Sequence, residues 1–145
     1  MGYRSVVEAV FYTREKEQYP LLKLYVDENF PKNEELRECL KPLIKEQVVG
    51  ADGKVEFHQH VGCYGYHFIC EDVKWYESYD FVREFTEFAH AFVAFSESKE
   101  GADAKQLSWA YEFVRLGEET DDTEEHRSDN ADGILGVRRE IEFNI

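Results

Sequence analysis

The chain has 145 residues, 31 acidic against 17 basic, for a net charge of −14, and 43% of it is hydrophobic and 15% aromatic. A charge of that sign and size works against binding nucleic acid or anionic membrane and favours basic partners or metal cations. The length suits a single domain with room for a substantial core, and three cysteines without a CxxC pair point to a reducing cytosol rather than a disulfide framework.

The start, MGYRSVVEAVF, lacks the apolar run of a secretory signal, and AFVAF is far shorter than a membrane span. Gly2 would suit N-myristoylation, but Val6 stands where that motif needs Ser or Thr. The first element, YRSVVEAVFYT (3–13), is rich in Val and aromatics on both faces and predicts a central strand. Pro20 fits the first turn of a helix that carries Leu22, Tyr25 and Val26 on one side and stops at Pro31. Asn33 is a good N-cap for a second helix, with Glu34 and Glu35 complementing its positive end. Leu36, Cys39, Leu40 and Leu43 would be its buried stripe, and Pro42 its kink or stop.

Asp52-Gly53 between β-branched residues is a hairpin signal. A second hairpin, turning at Gly62-Cys63, would pair Val61 with Tyr64, Gln59 with Tyr66, Phe57 with Phe68 and Val55 with Cys70. That register separates an apolar face from one holding Glu56, His58, His60, Gly65, His67 and Glu71. In SYDFVREFTEFAHAFVAF (78–95), Phe81, Phe85, Phe88, Phe92 and Phe95 recur at helical spacing and predict a helix with an aromatic core stripe. Residues 96–105 read as a polar loop. LSWAYEFVRLG fits helix or strand, and its aromatic content favours strand. After an acidic stretch, GVRREIEFNI alternates as a closing strand. The expected fold is α+β: a mostly antiparallel sheet with helices on one face, in a ferredoxin-like split βαβ arrangement with additions.

Candidate chemistry is sparse. His58 and His60 share a strand face, and in the register above His67 lies across from His58, a trio that with Glu56 or Glu71 suits zinc or another transition metal. The alternative is a solvated polar sheet face. Cys63, on the turn, reads as an exposed thiol, a spare metal ligand or a nucleophile beside a histidine. SDNADGILGVRRE has an acidic loop's composition, but with Gly133 at the sixth position the twelfth is Arg139, which excludes an EF-hand. There is no G-x-S-x-G, no phosphate-cradling glycine loop and no H-E-x-x-H, and with 31 acids no carboxylate pair stands out for acid–base work.

GEETDDTEEHRSDNADG (117–133) carries eight carboxylates. It reads first as a soluble, mobile loop. The sharper reading is a nucleic-acid decoy. Extended, such a segment spans about 60 Å, so its acids fall one per roughly 7 Å against one phosphate per about 1.7 Å of duplex. It would need help from the stripe Asp80, Glu84, Glu87 and from the cluster Asp27, Glu28, Glu34, Glu35, Glu38.

The pieces GYRS, VKWYES and YEFVRLGEETDDTEE resemble small uncharacterised proteins of tailed-bacteriophage genomes. The resemblance implies a phage or prophage origin and no assigned chemistry, and no site residue comes with it. Together these features lead to the expectation of a non-enzymatic, cofactor-free binding protein in the bacterial cytosol. It would dock on a basic host protein, a nuclease or defence complex, in the manner of anti-restriction or anti-CRISPR mimics. The residues expected to carry that contact are Glu118, Glu119, Asp121, Asp122, Glu124 and Glu125, with Asp80, Glu84 and Glu87. A metal-binding domain or metal-dependent enzyme using His58, His60 and His67, and a phage structural or assembly protein, are the alternatives, and exposed strand edges leave a homodimer open.

Overall fold

The computed structural model describes residues 3–43, 55–57, 63–97, 107–119 and 122–137. Strand β1 (Ser5–Thr13) is the axis of the molecule. It pairs antiparallel with β4 (Tyr64–Val73) on one side and β5 (Trp109–Leu116) on the other. Because both its edges and both its faces are covered, it carries apolar residues on both faces, as the sequence predicts, and its one buried acid, Glu8, is bonded to His67. The full order of the five-stranded sheet is β2-β4-β1-β5-β6, where β2 is Leu40–Pro42 and β6 is Thr123–Arg127. A separate two-stranded ribbon joins β3 (Val55–Phe57) to β7 (Leu135–Val137).

Between β1 and β2 the chain makes a 3-10 turn at Lys16–Gln18, helix α1 (Tyr19–Asn29) and the short α2 (Glu34–Cys39). Helix α3 (Asp80–Glu97) links β4 to β5. β1 and β2 run parallel with β4 between them, and β4 and β5 run parallel with β1 between them. Those are two interleaved βαβ units, the ferredoxin-like order expected from the sequence, with β6 added beyond β5.

Two cores follow from the alternation of side chains in the sheet. On the helical side Val7, Ala9, Phe11, Phe68, Trp109 and Phe113 meet Leu22, Val26, Phe85 and Phe92. Phe11 is the hub: it stacks on Tyr111 at 5.1 Å and meets Phe92 and Phe88 edge-on at 5.1 and 5.2 Å. The predicted α3 stripe is real, with Phe85, Phe88 and Phe92 buried and Phe81 and Phe95 packed at its margins. On the other side Val10, Tyr12, Ala110 and Val114 lie under Cys63, Ile134 and Leu135.

Asn33 caps α2 as predicted, its side-chain oxygen accepting from the Leu36 amide at 3.2 Å. Other expectations need correction. The second helix stops at Cys39, so Leu40 and Leu43 are not on its stripe, and Leu40–Pro42 forms the edge strand β2. An edge tolerates Pro42 because one side of the strand needs no amide donor. The predicted pairing of Phe57 with Phe68 and Val55 with Cys70 does not form: β4 pairs with β1 and β2, placing Phe68 opposite Ala9 and Leu40, while Val55 and Phe57 pair with Val137 and Leu135; Gln59, Val61 and Gly62 lie outside the described residues. Hydrophobic alternation fixed which face of β4 is inward but not which strand lies beside it. Gly65 tightens the β1–β4 contact, since a Cβ there would sit 1.9 Å from the Phe11 carbonyl oxygen. Asp52-Gly53, and Ile141, Phe143 and Ile145 of the predicted closing strand, lie outside the described residues.

Candidate binding surface

The acidic segment is not simply a loop. Gly117 N donates to the Asp122 carbonyl at 2.8 Å and Asp122 N to that of Glu119 at 3.1 Å, closing a turn into β6, which pairs with β5 from Glu112↔Arg127 to Leu116↔Thr123. Being a strand, it divides its charges between two faces. Glu124 and His126 lie opposite Arg115 and Phe113 on the helical side, and Glu125 and Arg127 opposite Val114 and Glu112 on the other.

Most of these carboxylates are engaged within the molecule. Arg115 donates to Asp122 at 2.8 and 3.2 Å, to Glu124 at 3.1 Å and to the Ser5 hydroxyl at 3.2 Å. The Tyr3 hydroxyl donates to Asp122 at 2.6 Å. Burial alone would raise the Glu124 pKa, but hydrogen bonds from His126 and Arg115 more than offset it and hold the carboxyl below its ordinary value. Glu125 pairs with Arg127 at 2.8 Å, Glu118 accepts from the Arg4 amide at 2.8 Å, and Asp132 pairs with Arg14. Of the residues expected to form a partner-binding loop, then, Asp122 and Glu124 act as half-buried internal anchors, and Glu125 is exposed but paired with Arg127. Glu118 and Glu119 are exposed, and Asp121 lies outside the described residues.

A carboxylate the sequence did not single out is the most committed of all. Glu112 is fully buried. It accepts from the Tyr12 hydroxyl at 2.7 Å and from the amides of Gly133, Ile134 and Leu135 at 3.0 Å each, with Arg127 Nε at 3.4 Å. The Tyr12 hydroxyl in turn accepts from Asp132 N at 2.8 Å, and its burial beside Glu112 drives its ionisation far above the usual range. The arrangement seats the segment leading into β7 on the second face of the sheet. Its only sequence signal is an acid at an inward position of an otherwise apolar strand.

The helical side is different. Asp80, Glu84 and Glu87 are exposed along the outer face of α3, and Asp80 pairs with Arg83. Glu84 and Glu87 make no ion pair among the described residues. They line a shallow groove facing Tyr25 and the α1–α2 junction at Asn29, Lys32 and Asn33. Glu28, Glu34, Glu35 and Glu38 are exposed on the adjoining helices. Nearby cations are partly spent: Lys23 pairs with Asp27 at 2.8 Å, and Arg37 donates to the carbonyls of Pro31 and Phe30 at 3.1 and 2.9 Å.

A larger groove of about 1130 Å³ runs along the opposite flank of α3, where the sheet continues past the helix onto β6. Tyr111, Phe113 and Arg115 contribute to its floor, His90 and Val93 to the α3 wall, and Trp75 and Tyr76 to one end.

The histidine trio is not assembled by the predicted pairing. His67 is buried and bonded to the fully buried Glu8 at 2.8 Å, and His58 and His60 lie outside the described residues. Among the described residues no group of three His, Cys, Asp or Glu side chains could hold a metal ion. Cys63 is buried rather than exposed, and burial pushes its thiol pKa up, away from nucleophile chemistry. No described helix is long and apolar enough to cross a membrane.

No family model matches the chain, no curated protein matches it, and no solved structure matches it.

Proposed function

We propose that the chain is an acidic binding protein of phage type that acts in the bacterial cytosol by occupying a basic surface of a host protein that handles nucleic acid, such as a nuclease or defence complex. The observation that carries this reading is the band of exposed carboxylates on the helical side: Glu84 and Glu87 across the groove from the α1–α2 junction, flanked by Glu28, Glu34, Glu35 and Glu38. Like charges this close oppose folding by tenths of a kcal/mol per pair, and a rigid aromatic core holds them in place regardless. A fixed negative surface of this kind accelerates encounter with a basic partner and makes it sensitive to salt. The hairpin acids support the reading less, since Asp122, Glu124 and Glu125 are tied to Arg115 and Arg127.

The test is a pull-down from bacterial lysate with tagged wild type and the E34K/E35K/E84K variant, at low and high salt, with captured proteins identified by mass. Wild type should retain basic nucleic-acid-handling proteins at low salt only, and the variant should lose them. Capture that survives both charge reversal and high salt overturns the reading.

A further inference from the structure

Sign and shape together specify what the large groove beside α3 accepts. Its cations are already committed: Arg83 to Asp80, Arg115 to Asp122 and Glu124, Arg127 to Glu112 and Glu125. Its wall and ends also carry Glu77, Glu87 and Glu97, all exposed and without an ion pair among the described residues. The uncompensated charge is therefore negative. Beneath it the surface is aromatic and aliphatic, with Tyr111, Phe113, Trp75 and Val93.

Tyr111 on the floor is 9% exposed, and its ring stacks on Phe11. Burial, then the nearby Glu124 carboxylate, raises its pKa well beyond the usual range, so it stays a neutral phenol. As a neutral phenol it offers an entering side chain one hydrogen-bond donor and an acceptor oxygen.

Shape narrows the occupant further. From Val82 to Glu97 the α3 wall runs about 22 Å at 1.5 Å per residue, and the volume of about 1130 Å³ exceeds the usual small-ligand range of about 300–1,000 Å³. Among the described residues the sheet extends one strand past its helical cover, and helices pack beside one another at about 8–10 Å. A further helix laid next to α3 would cover the β5–β6 floor and complete the layer.

We propose that this groove receives a cationic amphipathic helix of a partner protein, its apolar stripe on Tyr111, Phe113 and Val93 and its lysines or arginines against Glu77, Glu87 and Glu97. This rests on the reading that the partner is basic, and it places the contact on the β6 flank of α3 rather than on the α1–α2 flank. A lysine or arginine beside Glu124 would also be placed to donate to the Tyr111 hydroxyl.

The test uses a synthetic 18-residue helical peptide of leucine and lysine with one apolar stripe, titrated calorimetrically into the full chain, and the same peptide with glutamate for lysine. Ala94 lines this groove and Ala91 the shallower one across the helix, and both are exposed. A94W therefore fills the proposed site while A91W is a matched control, and circular dichroism confirms that both fold. The lysine peptide should bind saturably, A94W should weaken it about tenfold or more, and A91W should change it less than about twofold. Y111F should weaken it about threefold without altering the fold. Equal effects of A94W and A91W, equal binding of the glutamate peptide, or no saturable binding overturns the proposal. If the pull-down behaves as expected and A94W leaves its captured proteins bound, the groove assignment is wrong while the acidic surface stands. If peptide binding follows the expected pattern but no basic protein is captured, the error lies in the host-partner reading instead.

Discussion

The carboxylates of the β5–β6 hairpin and those of α3 are chemically alike, yet they do opposite work. Glu112, Asp122 and Glu124 turn inward, accept several hydrogen bonds each and hold strands and a connecting segment in place. Glu84 and Glu87 turn outward and make no ion pair among the described residues. Density of acids along a chain is therefore a poor guide to which of them face a partner. What separates the two groups is whether arginines and backbone amides converge on the carboxylate.

Substitutions should expose this contrast as a gradient. The largest effect belongs to Glu112. In E112Q the amide nitrogen would oppose either the Leu135 amide or the group of Tyr12 hydroxyl and Gly133 and Ile134 amides, placing donor against donor. Chemical denaturation should show a loss of about 3–5 kcal/mol, the range for breaking a buried charged network. R115M comes next, leaving Asp122 and Glu124 without their cation in a half-buried setting, and should cost about 1–3 kcal/mol by the same measurement. If it proves neutral, the hairpin acids are not structural and their role as a recognition surface reopens.

Acidification probes the same contrast more gently. Glu124 titrates below its ordinary value, burial being outweighed by His126 and Arg115, and Asp27 does so through hydrogen bonds from Lys23 and Tyr66. A carboxylate whose folded pKa is lowered stabilises the fold above its unfolded pKa, and the gain disappears as pH falls through the folded value. Thermal midpoints should thus be steady near neutrality and decline below about pH 4.3, with E124Q flattening that decline. The smallest effect is expected for E84Q/E87Q, whose stability to denaturant should stay within about 0.5 kcal/mol of wild type. A larger shift would mean that these side chains have structural partners after all.

Much of the scaffold was legible in the residues. The doubly apolar run at 5–13 marks a central strand, the phenylalanine spacing in 81–95 marks α3, and Asn33 followed by two glutamates marks a helix start. What was not legible is which strand neighbours which. Residues 64–73 alternate equally well against 55–61 or against β1, and only the closure of two interleaved βαβ units decides between them. Leu40–Pro42 looked helical because Leu36, Cys39, Leu40 and Leu43 share a helical period, but the edge of the sheet takes them instead. The acidic segment looked like a loop because charge dominates its composition, whereas charged residues are also what a solvent-facing edge strand uses to discourage unwanted pairing. For the groove the sequence offered one cue, Arg115 on the inward face of β5, where an arginine needs carboxylates close by. Its outline depends on β6 projecting beyond α3, which no local pattern encodes.

The position of β1 at the axis has a consequence for the order of assembly. Its partners are encoded far downstream: Thr13 meets Tyr64 on one side and Trp109 on the other. At a synthesis rate of about 5–20 residues per second, β1 leaves the ribosome seconds before either neighbour exists. A strand this apolar must be shielded during that wait, so nascent chains truncated before residue 109 should be strong chaperone clients, and release from chaperones should coincide with the emergence of β5. Contacts of such long sequence separation also place refolding toward the slow end for a domain of this size.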